Sequence, residues 1–285
     1  MISILALCEE SGLGRYIVSS MIVLYKIMFI PMLISNCQGW SHLTKSNFAS
    51  LERLQLKFLK LILWLPMSTP NAFIFLEYGI LPLEHEIQRR RMTYLHHILS
   101  LRDDDQVKLA YLEGLKLSHE PNWANNVKGL RVKYGISFSD QEVSEMSVLK
   151  WKEIVSAKVE DVVFQELLEE ARSLSKIRDV EYNEFGSQRY LSTMDTFSIR
   201  KIARLRSRTF ACKANQKSAH ASNLLCRAGC SETETQDHIL NCRNILGEVA
   251  DIDCLFVKKE DFDCDKRSLQ EIFRRMDMVE SWCVE

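Results

Sequence analysis

Three cysteines and one histidine in the C-terminal part of the sequence have the spacing of a metal-binding knuckle. They follow the pattern Cys226-x3-Cys230-x7-His238-x3-Cys242. Gly229 favours a tight turn between the first two cysteines, and one helical turn brings His238 and Cys242 to the same face. Three thiolates and one imidazole complete a closed tetrahedral site for Zn²⁺. We therefore predict zinc at these four residues, and we expect the metal to fold this small region.

The other cysteines show no comparable spacing. The chain has 285 residues and nine cysteines, an odd number in a protein too large to need a disulfide framework. The first residues also lack the positive region of a secretory signal. We therefore expect a reducing compartment, the nucleus or the cytoplasm, rather than secretion. Buried or surface thiols are predicted for the cysteines that follow the helical part: Cys212, Cys254, Cys264 and Cys283.

A strongly basic segment precedes the knuckle. Residues 196–231 contain eight basic side chains and no acidic one, whereas residues 232–285 contain 7 basic and 14 acidic side chains. Clustered cations of this kind neutralise phosphates in nucleic-acid-binding proteins. The candidate nucleic-acid-binding residues are Arg200, Lys201, Arg204, Arg206, Arg208, Lys213 and Lys217. A solvated helix face that pairs with the acidic C-terminal tail is the alternative interpretation.

A second basic face is predicted earlier in the chain. Residues 50–65 have the period of an amphipathic helix, and Arg53, Lys57 and Lys60 share its polar face, with Trp64 one turn further on. This face is a weaker nucleic-acid-binding candidate, because a solvated helix face has the same pattern. The triplet 89–91 is weaker still, since three consecutive arginines cannot all share one helix face.

No set of catalytic residues is visible. The acidic triplet 103–105 follows Arg102 at a predicted helix end, which favours a polar helix-to-loop boundary over the paired carboxylates of a polymerase. His96 and His97 are adjacent, so they point to different helix faces. There is no Ser/His/Asp arrangement and no glycine-rich phosphate loop. We expect neither an enzyme nor a small-molecule substrate.

The elements that position these residues are predicted to be helices. The chain has only ten glycines and five prolines, and residues 136–185 contain neither, so a mainly α fold is expected. We predict a helical bundle over residues 1–178, a linker over 179–195, and a basic helix with the zinc knuckle over 196–245. An acidic tail follows over 246–285. Ser139 and Glu142 form a capping-box pattern at the start of a helical stretch that runs to about residue 178.

Residues 17–34 form the most apolar stretch of the chain. Their length would fit a membrane span. Lys26 lies in the middle, however, and Pro31 interrupts the far end, so a helix buried within the protein is the favoured interpretation. We therefore do not expect membrane insertion.

Two parts of the sequence resemble the C-terminal region of non-LTR retrotransposon reverse transcriptases. The knuckle region carries the more specific part of the resemblance, at residues 205–210, 213–215, 226–230 and 234–242. The helical region is similar to the segment that follows the polymerase palm, at residues 36–40, 51–65, 68–72, 77–83 and 89–92. Together the two parts cover roughly residues 15–245.

This resemblance implies a thumb-like helical bundle, a helical connector, and a knuckle that helps to hold template RNA or target DNA. It does not imply polymerase activity, because no aromatic-x-Asp-Asp motif is present. The residues after Cys242 lack the Pro-Asp-x(n)-Asp pattern of the restriction-like nuclease in related elements. The first cysteine pair is spaced by three residues, where two are commoner. A gene fragment, a truncated element and a host-captured remnant all fit the sequence.

Two functions are consistent with these features. The first is a non-catalytic nucleic-acid-binding remnant of a retroelement reverse transcriptase, with RNA or DNA as its partner. The second is a helical scaffold whose zinc module docks a protein partner, with the acidic tail as contact surface. Phosphate contacts would make affinity fall steeply with salt, whereas a protein-docking module would bind little nucleic acid at any salt concentration.

Overall fold

The computed structural model describes residues 17–40, 43–117, 121–210, 212–215, 224–245 and 266–281. Within these ranges the chain is mainly helical and contains no β-strand, which confirms the predicted fold class. The helices are α1 (Ile17–Leu24), α2 (Ile30–Leu33), α3 (Lys45–Ile62), α4 (Asn71–Tyr78), α5 (Leu83–Leu99), α6 (Gln106–Lys116), α7 (Trp123–Lys133), α8 (Asp140–Glu145), α9 (Val148–Ser173), α10 (Tyr190–Thr193), α11 (Thr196–Arg206), α12 (Gln236–Asn241) and α13 (Lys266–Ser281).

The chain forms two compact units, and neither is continuous in sequence. Unit 1 takes its described residues from 1–22, 58–78 and 168–285, and unit 2 takes its residues from 23–57 and 79–167. The predicted divisions at 178 and 196 do not coincide with these boundaries. The boundaries fall inside helices such as α3 and α9, where the amphipathic period continues without a break. The sequence therefore shows no break in composition or periodicity at the boundaries between the two units.

Most helix boundaries follow the local signals of the sequence. Ser139 caps α8 with the predicted capping box, because its side chain and that of Glu142 bond to each other's backbone N–H groups. The expected continuous helix to about residue 178 is wrong in one place. Met146 is extended, and Ser147 Oγ then accepts a hydrogen bond of 3.2 Å from the Lys150 amide, so that a second cap starts α9. The acidic triplet is a helix boundary as predicted, with Asp105 capping α6.

The apolar stretch 17–34 is helical but is not buried all round. It consists of α1, a π-helical turn over Tyr25–Phe29, and α2. Val18 and Tyr25 are fully buried, whereas Ile27 and Met32 are 63% and 77% exposed. The expectation of burial on every side is therefore wrong, because the helix has a buried face and an apolar exposed face. No helix in the part of the chain that the structure describes is both long and apolar enough to cross a membrane.

In unit 2 the central element is α5. It packs against α6, α7, α8 and the 3₁₀ turn Cys37–Gly39. The indole of Trp151, which is fully buried, donates a hydrogen bond of 2.9 Å to the Met92 carbonyl and so fixes α9 to α5. His96 is buried and its Nε2 lies 2.8 Å from the Met146 carbonyl oxygen, whereas His97 is exposed. The adjacent histidines therefore serve different faces, as predicted.

In unit 1 a buried carboxylate joins three parts of the chain. Glu77 of α4 is completely buried, and its carboxylate accepts hydrogen bonds from the hydroxyls of Tyr182 at 2.8 Å and Tyr190 at 2.5 Å. Arg206 of α11 forms an ion pair with the same carboxylate at 2.8 Å. Burial alone would lower the pKa of Arg206, but the Glu77 carboxylate raises it above its ordinary value. The segment 179–195, predicted as a linker, therefore contributes buried side chains to unit 1 instead of only joining two parts of the chain.

Loss of Arg206 should be far more destabilising than loss of its neighbour Arg204. Arg206→Gln leaves the buried Glu77 carboxylate without its cation, which we expect to lower the free energy of unfolding by about 3–5 kcal/mol. Arg204→Gln breaks a half-exposed ion pair with Glu280, and the expected cost is at most about 1 kcal/mol. Urea unfolding of the two variants checks this difference. Equal stabilities would contradict the internal role of Arg206.

A largely buried histidine of unit 2 makes stability depend on pH. His85 of α5 has its Nδ1 2.9 Å from the Tyr134 hydroxyl, and its Nε2 lies 3.7 Å from a carboxylate oxygen of Glu166. Burial, with a smaller contribution from Lys133, lowers the pKa of His85 to about 4. The folded protein therefore keeps this imidazole neutral at pH values where the unfolded chain binds a proton.

Stability should consequently fall as the pH is lowered from about 6.5 to about 4, and His85→Asn should flatten part of this fall. The folded pKa is below the unfolded one, so the contribution is complete above the unfolded pKa and is lost as the pH falls through the folded pKa. A shift of this size corresponds to about 3 kcal/mol. Urea unfolding of both proteins across this pH range gives the difference. The exposed His97→Asn variant is the control and should follow the wild-type curve.

Candidate metal centre

The first half of the knuckle is a short turn closed by backbone hydrogen bonds. Leu225 and Thr233 form an isolated antiparallel bridge, and the Cys226 amide donates to the Glu232 carbonyl at 2.8 Å. Gly229 has a φ of +79°, a conformation that side chains with a Cβ rarely adopt. The turn places the thiols of Cys226 and Cys230 on the same side of the loop.

The second half of the knuckle is the short helix α12. Thr235 caps it by accepting a hydrogen bond of 3.1 Å from the His238 amide. His238 lies in this helix, and Cys242 follows it four residues later at the C-terminal cap, so that both ligand atoms point to one side. The two halves therefore meet as the spacing in the sequence predicts.

The four predicted ligand atoms converge on one point. The sulfur atom of each cysteine and a ring nitrogen of His238 all lie within 4.8 Å of one another. The Cys242 sulfur is 3.8 Å from that of Cys226 and 3.5 Å from that of Cys230. A metal ion with bonds of about 2.3 Å to sulfur holds two sulfur ligands of a tetrahedron about 3.8 Å apart. These separations fit a shared metal ion and are too long for disulfide bonds.

A carboxylate orients the histidine. The Nε2 atom of His238 lies 3.0 Å from the Cys230 sulfur and faces the centre of the cluster, whereas Nδ1 is 2.9 Å from a Glu232 oxygen. Histidine ligands commonly donate their second ring nitrogen to a carboxylate, which fixes the tautomer that leaves the first nitrogen free for the metal. Glu232 therefore supports His238 from outside the ligand set.

A buried ion pair stiffens the loop between the two halves. Glu234 is completely buried and binds the Arg227 guanidinium, with a shortest distance of 2.6 Å. Burial opposes ionisation of Glu234, but Arg227 and the backbone amides of Arg227 and Lys213 hold its pKa below the ordinary value. The knuckle is thus held together by charge pairing as well as by the bonds that a metal would form.

The C-terminal helix α13 is anchored on the knuckle through one arginine. Arg275 is fully buried, and its guanidinium donates to the carbonyl oxygens of Leu240 at 3.0 Å and of Cys242 at 3.2 Å. Glu271 accepts from the same guanidinium at 3.0 Å. Arg275 therefore satisfies carbonyl groups at the end of α12, where helical partners are missing.

The thiols respond differently to their surroundings. Burial raises the pKa of Cys226 to about 12, with further increases from Cys230 and Cys242. Burial also acts on Cys230, but the Glu232 amide and the neighbouring thiols lower the pKa of Cys230 below its ordinary value. Cys212 is buried outside the cluster, as predicted. Cys254, Cys264 and Cys283 lie outside the described residues.

Three of the predicted nucleic-acid-binding cations are buried in unit 1. Arg206 binds Glu77, and Lys201 of α11 lies 2.5 Å from Asp277 of α13. Arg200 donates to the Ile62 carbonyl at 3.2 Å, and its guanidinium lies 3.7 Å above the Trp64 ring. The expectation that these residues lie on an exposed basic face is wrong, because the fold supplies internal partners for each of them.

The other cations of this segment are partly exposed. Arg204 pairs with Glu280 at 3.0 Å, so the predicted pairing of the basic helix with the acidic tail is present in α13. Arg208 binds both Asp237 and Asp179, and Lys213 donates to the Leu225 carbonyl at 2.9 Å. Lys217 lies outside the described residues. No described cation of this segment faces solvent without an internal contact.

The weaker basic face of α3 is divided in the same way. Arg53 and Lys57 are exposed, as predicted. Lys60 is 2% exposed, and its ammonium donates to the carbonyls of Met67 at 2.9 Å and Thr69 at 2.6 Å. Placing Lys60 on the exposed face is therefore wrong, because it closes the loop after α3.

The residues that support the four candidate ligands are not evident from the sequence. Glu232 and Glu234 lie between Cys230 and His238, where acidic residues are unremarkable by composition. Glu77 and Arg275 are distant in sequence from their partners. An acidic residue close to a ligand histidine was the one available signal, since such carboxylates commonly orient the imidazole.

Comparison with known proteins gives no relative on which to rest a function. No family model, no curated protein and no solved structure matches this chain.

Cys230→Ser should lose the metal and loosen the knuckle. A metal site of this kind folds its own loop, so we expect faster amide exchange over residues 224–245 and unchanged exchange in unit 2. Elemental analysis of protein purified without chelator measures the metal. Cys212→Ser removes a thiol outside the cluster and should retain one metal ion per chain. Absence of metal from the wild-type protein, with unchanged exchange in Cys230→Ser, would exclude the site.

Proposed function

We propose that this chain is a non-catalytic nucleic-acid-binding protein that derives from a retroelement reverse transcriptase and holds Zn²⁺ in its knuckle. The observation that carries the proposal is the cluster of Cys226, Cys230, His238 and Cys242, whose ligand atoms lie within 4.8 Å of one another. Three sulfur atoms and one imidazole suit zinc, which prefers such ligands in a tetrahedron. These four residues belong to the knuckle region, which carries the more specific part of the resemblance to these reverse transcriptases.

The zinc has a structural role in this proposal. Catalytic zinc sites keep one position for water or substrate, whereas four protein ligands close the coordination sphere. Cys226 and Cys242 are also buried, which limits access to the metal. The ion would fix the knuckle on which α13 is anchored through Arg275.

Exposed cations support the nucleic-acid contact. Arg53 and Lys57 present a charged face on α3, and unit 2 also contains a cavity lined by Arg89, Arg90 and Lys152. Arg53, Lys57 and Lys152 are exposed and can approach phosphates. Arg89 and Arg90 are partly exposed and also pair with Glu86. The buried cations of α11 contribute to stability instead.

A helical scaffold that docks a protein partner is the second candidate. It is favoured by the ion pairs of α11. Asp277 neutralises Lys201 and Glu280 neutralises Arg204, so these cations attract phosphate less. In this case the zinc module would provide a rigid surface, and nucleic acid would bind weakly at every salt concentration.

Salt dependence of binding distinguishes the two functions. The metal-loaded full chain should bind a labelled single-stranded oligonucleotide, and the logarithm of its affinity should fall linearly with the logarithm of salt concentration. The expected slope is about −0.7 for each phosphate neutralised on a single strand. Fluorescence anisotropy from low to high salt measures it. No detectable binding at low salt would contradict the nucleic-acid function and favour the scaffold.

A further inference from the structure

Helices α5 and α9 of unit 2 line a cavity of about 580 Å³ that is open to solvent on one side. Its α9 wall consists of Val148, Lys152 and Ser156, which are four residues apart and so share one helix face. The hydrogen bond from the Trp151 indole to the Met92 carbonyl sets the distance between the two helices. We name this cavity the α5–α9 groove. Its volume lies in the range of pockets that hold one small ligand or one unit of a polymer.

The α5–α9 groove carries an excess of positive charge. Arg89 and Arg90 both pair with Glu86, at 2.6 Å and 2.8 Å, so that one carboxylate faces two guanidinium groups. Lys152 is an exposed third cation and forms no ion pair within the described part of the chain. Glu160 lies within electrostatic reach of Arg89 but does not line the cavity. The groove wall therefore holds three cations and one carboxylate, an arrangement suited to an anion.

An aromatic surface lies beside these cations. Tyr94 and His97 both line the cavity, and their ring centroids are 5.3 Å apart with planes inclined by 33°. Trp123 contacts Tyr94 edge-on, with ring centroids 6.1 Å apart. Proteins that bind single strands combine cations for the backbone with aromatic rings on which bases stack. A base pair within a duplex does not offer its face to such rings.

We propose that the α5–α9 groove binds one nucleotide of a single-stranded nucleic acid. The phosphate lies among Arg89, Arg90 and Lys152, and the base packs against Tyr94 and His97. This inference rests on the proposed function, and it assigns the contact to unit 2, whereas the sequence predicted it in the basic segment before the knuckle.

Exchange of one lysine at a time in α9 tests the groove. Lys152→Gln removes a groove cation, and Lys150→Gln removes an exposed lysine of the same helix that does not line the cavity. Anisotropy of the metal-loaded full chain with a labelled oligouridylate measures both. We expect Lys152→Gln to make the salt slope shallower by about 0.7. If the two proteins bind equally at about 1 M salt, the variant then binds about fourfold more weakly than the wild type at about 0.15 M. Lys150→Gln should match the wild type.

A stacking variant and a competitor complete the test. His97→Ala should weaken binding at 1 M salt, where phosphate contacts are screened but stacking persists. Polyglutamate should displace the oligonucleotide poorly, since it has no bases. Equal displacement by polyglutamate would overturn the proposal by showing a general polyanion surface. Circular dichroism confirms that each variant is folded.

The outcomes separate the groove from the proposed function. If the wild type binds and the two lysine variants behave alike, the groove is wrong while nucleic-acid binding stands. If the wild type does not bind the oligonucleotide at low salt, both are wrong. An unchanged His97→Ala affinity at 1 M salt with a reduced Lys152→Gln slope would overturn the stacking part of the proposal.

Discussion

The buried carboxylate of Glu77 is the constraint on which unit 1 depends. Removing an ionised carboxylate from water costs several kcal/mol, and the cost is offset only when cations and hydrogen-bond donors replace the lost water. Arg206 and two tyrosine hydroxyls do this, and they bring α11 and the segment 179–195 to α4. Helix α11 in turn contacts the knuckle, because the Gln236 side chain of α12 donates a hydrogen bond of 2.9 Å to the Leu205 carbonyl. The cluster of candidate metal ligands is thus connected, through α11, to a charge pair far from it in sequence.

The candidate metal centre was predictable because its information is local. Four ligands lie within seventeen consecutive residues, and the turn at Gly229 and the helical spacing of His238 and Cys242 need no distant partner. The same reason explains the capping box at Ser139 and the stop of α3 before Pro66. Glycine, proline and short capping side chains act on the backbone within a few residues, so their effects can be deduced from sequence alone.

The fate of each cation was not predictable from sequence. Arg204 and Arg206 are two residues apart in one basic run, yet one lies at the surface and the other is buried against Glu77. Charge counts describe a segment, whereas burial depends on which side chain faces an acidic partner from another part of the chain. The π-helical turn at Tyr25–Phe29 shifts the helical register in a similar way, so that a uniformly apolar run acquires an exposed side. The division into two discontinuous units was also not predictable from sequence, since it is defined by tertiary contacts alone.

The interleaved units impose an order on folding during synthesis. Unit 2 is complete once residue 167 has left the ribosome, whereas unit 1 needs its C-terminal segments. Glu77 emerges 129 residues before Arg206, the cation that makes its burial possible. At a synthesis rate of about 5–20 residues per second, the Glu77 carboxylate remains without Arg206 for roughly 6–26 s. During that interval water solvates it, and the apolar residues of α4 stay exposed until Arg206 and the rest of α11 have been synthesised.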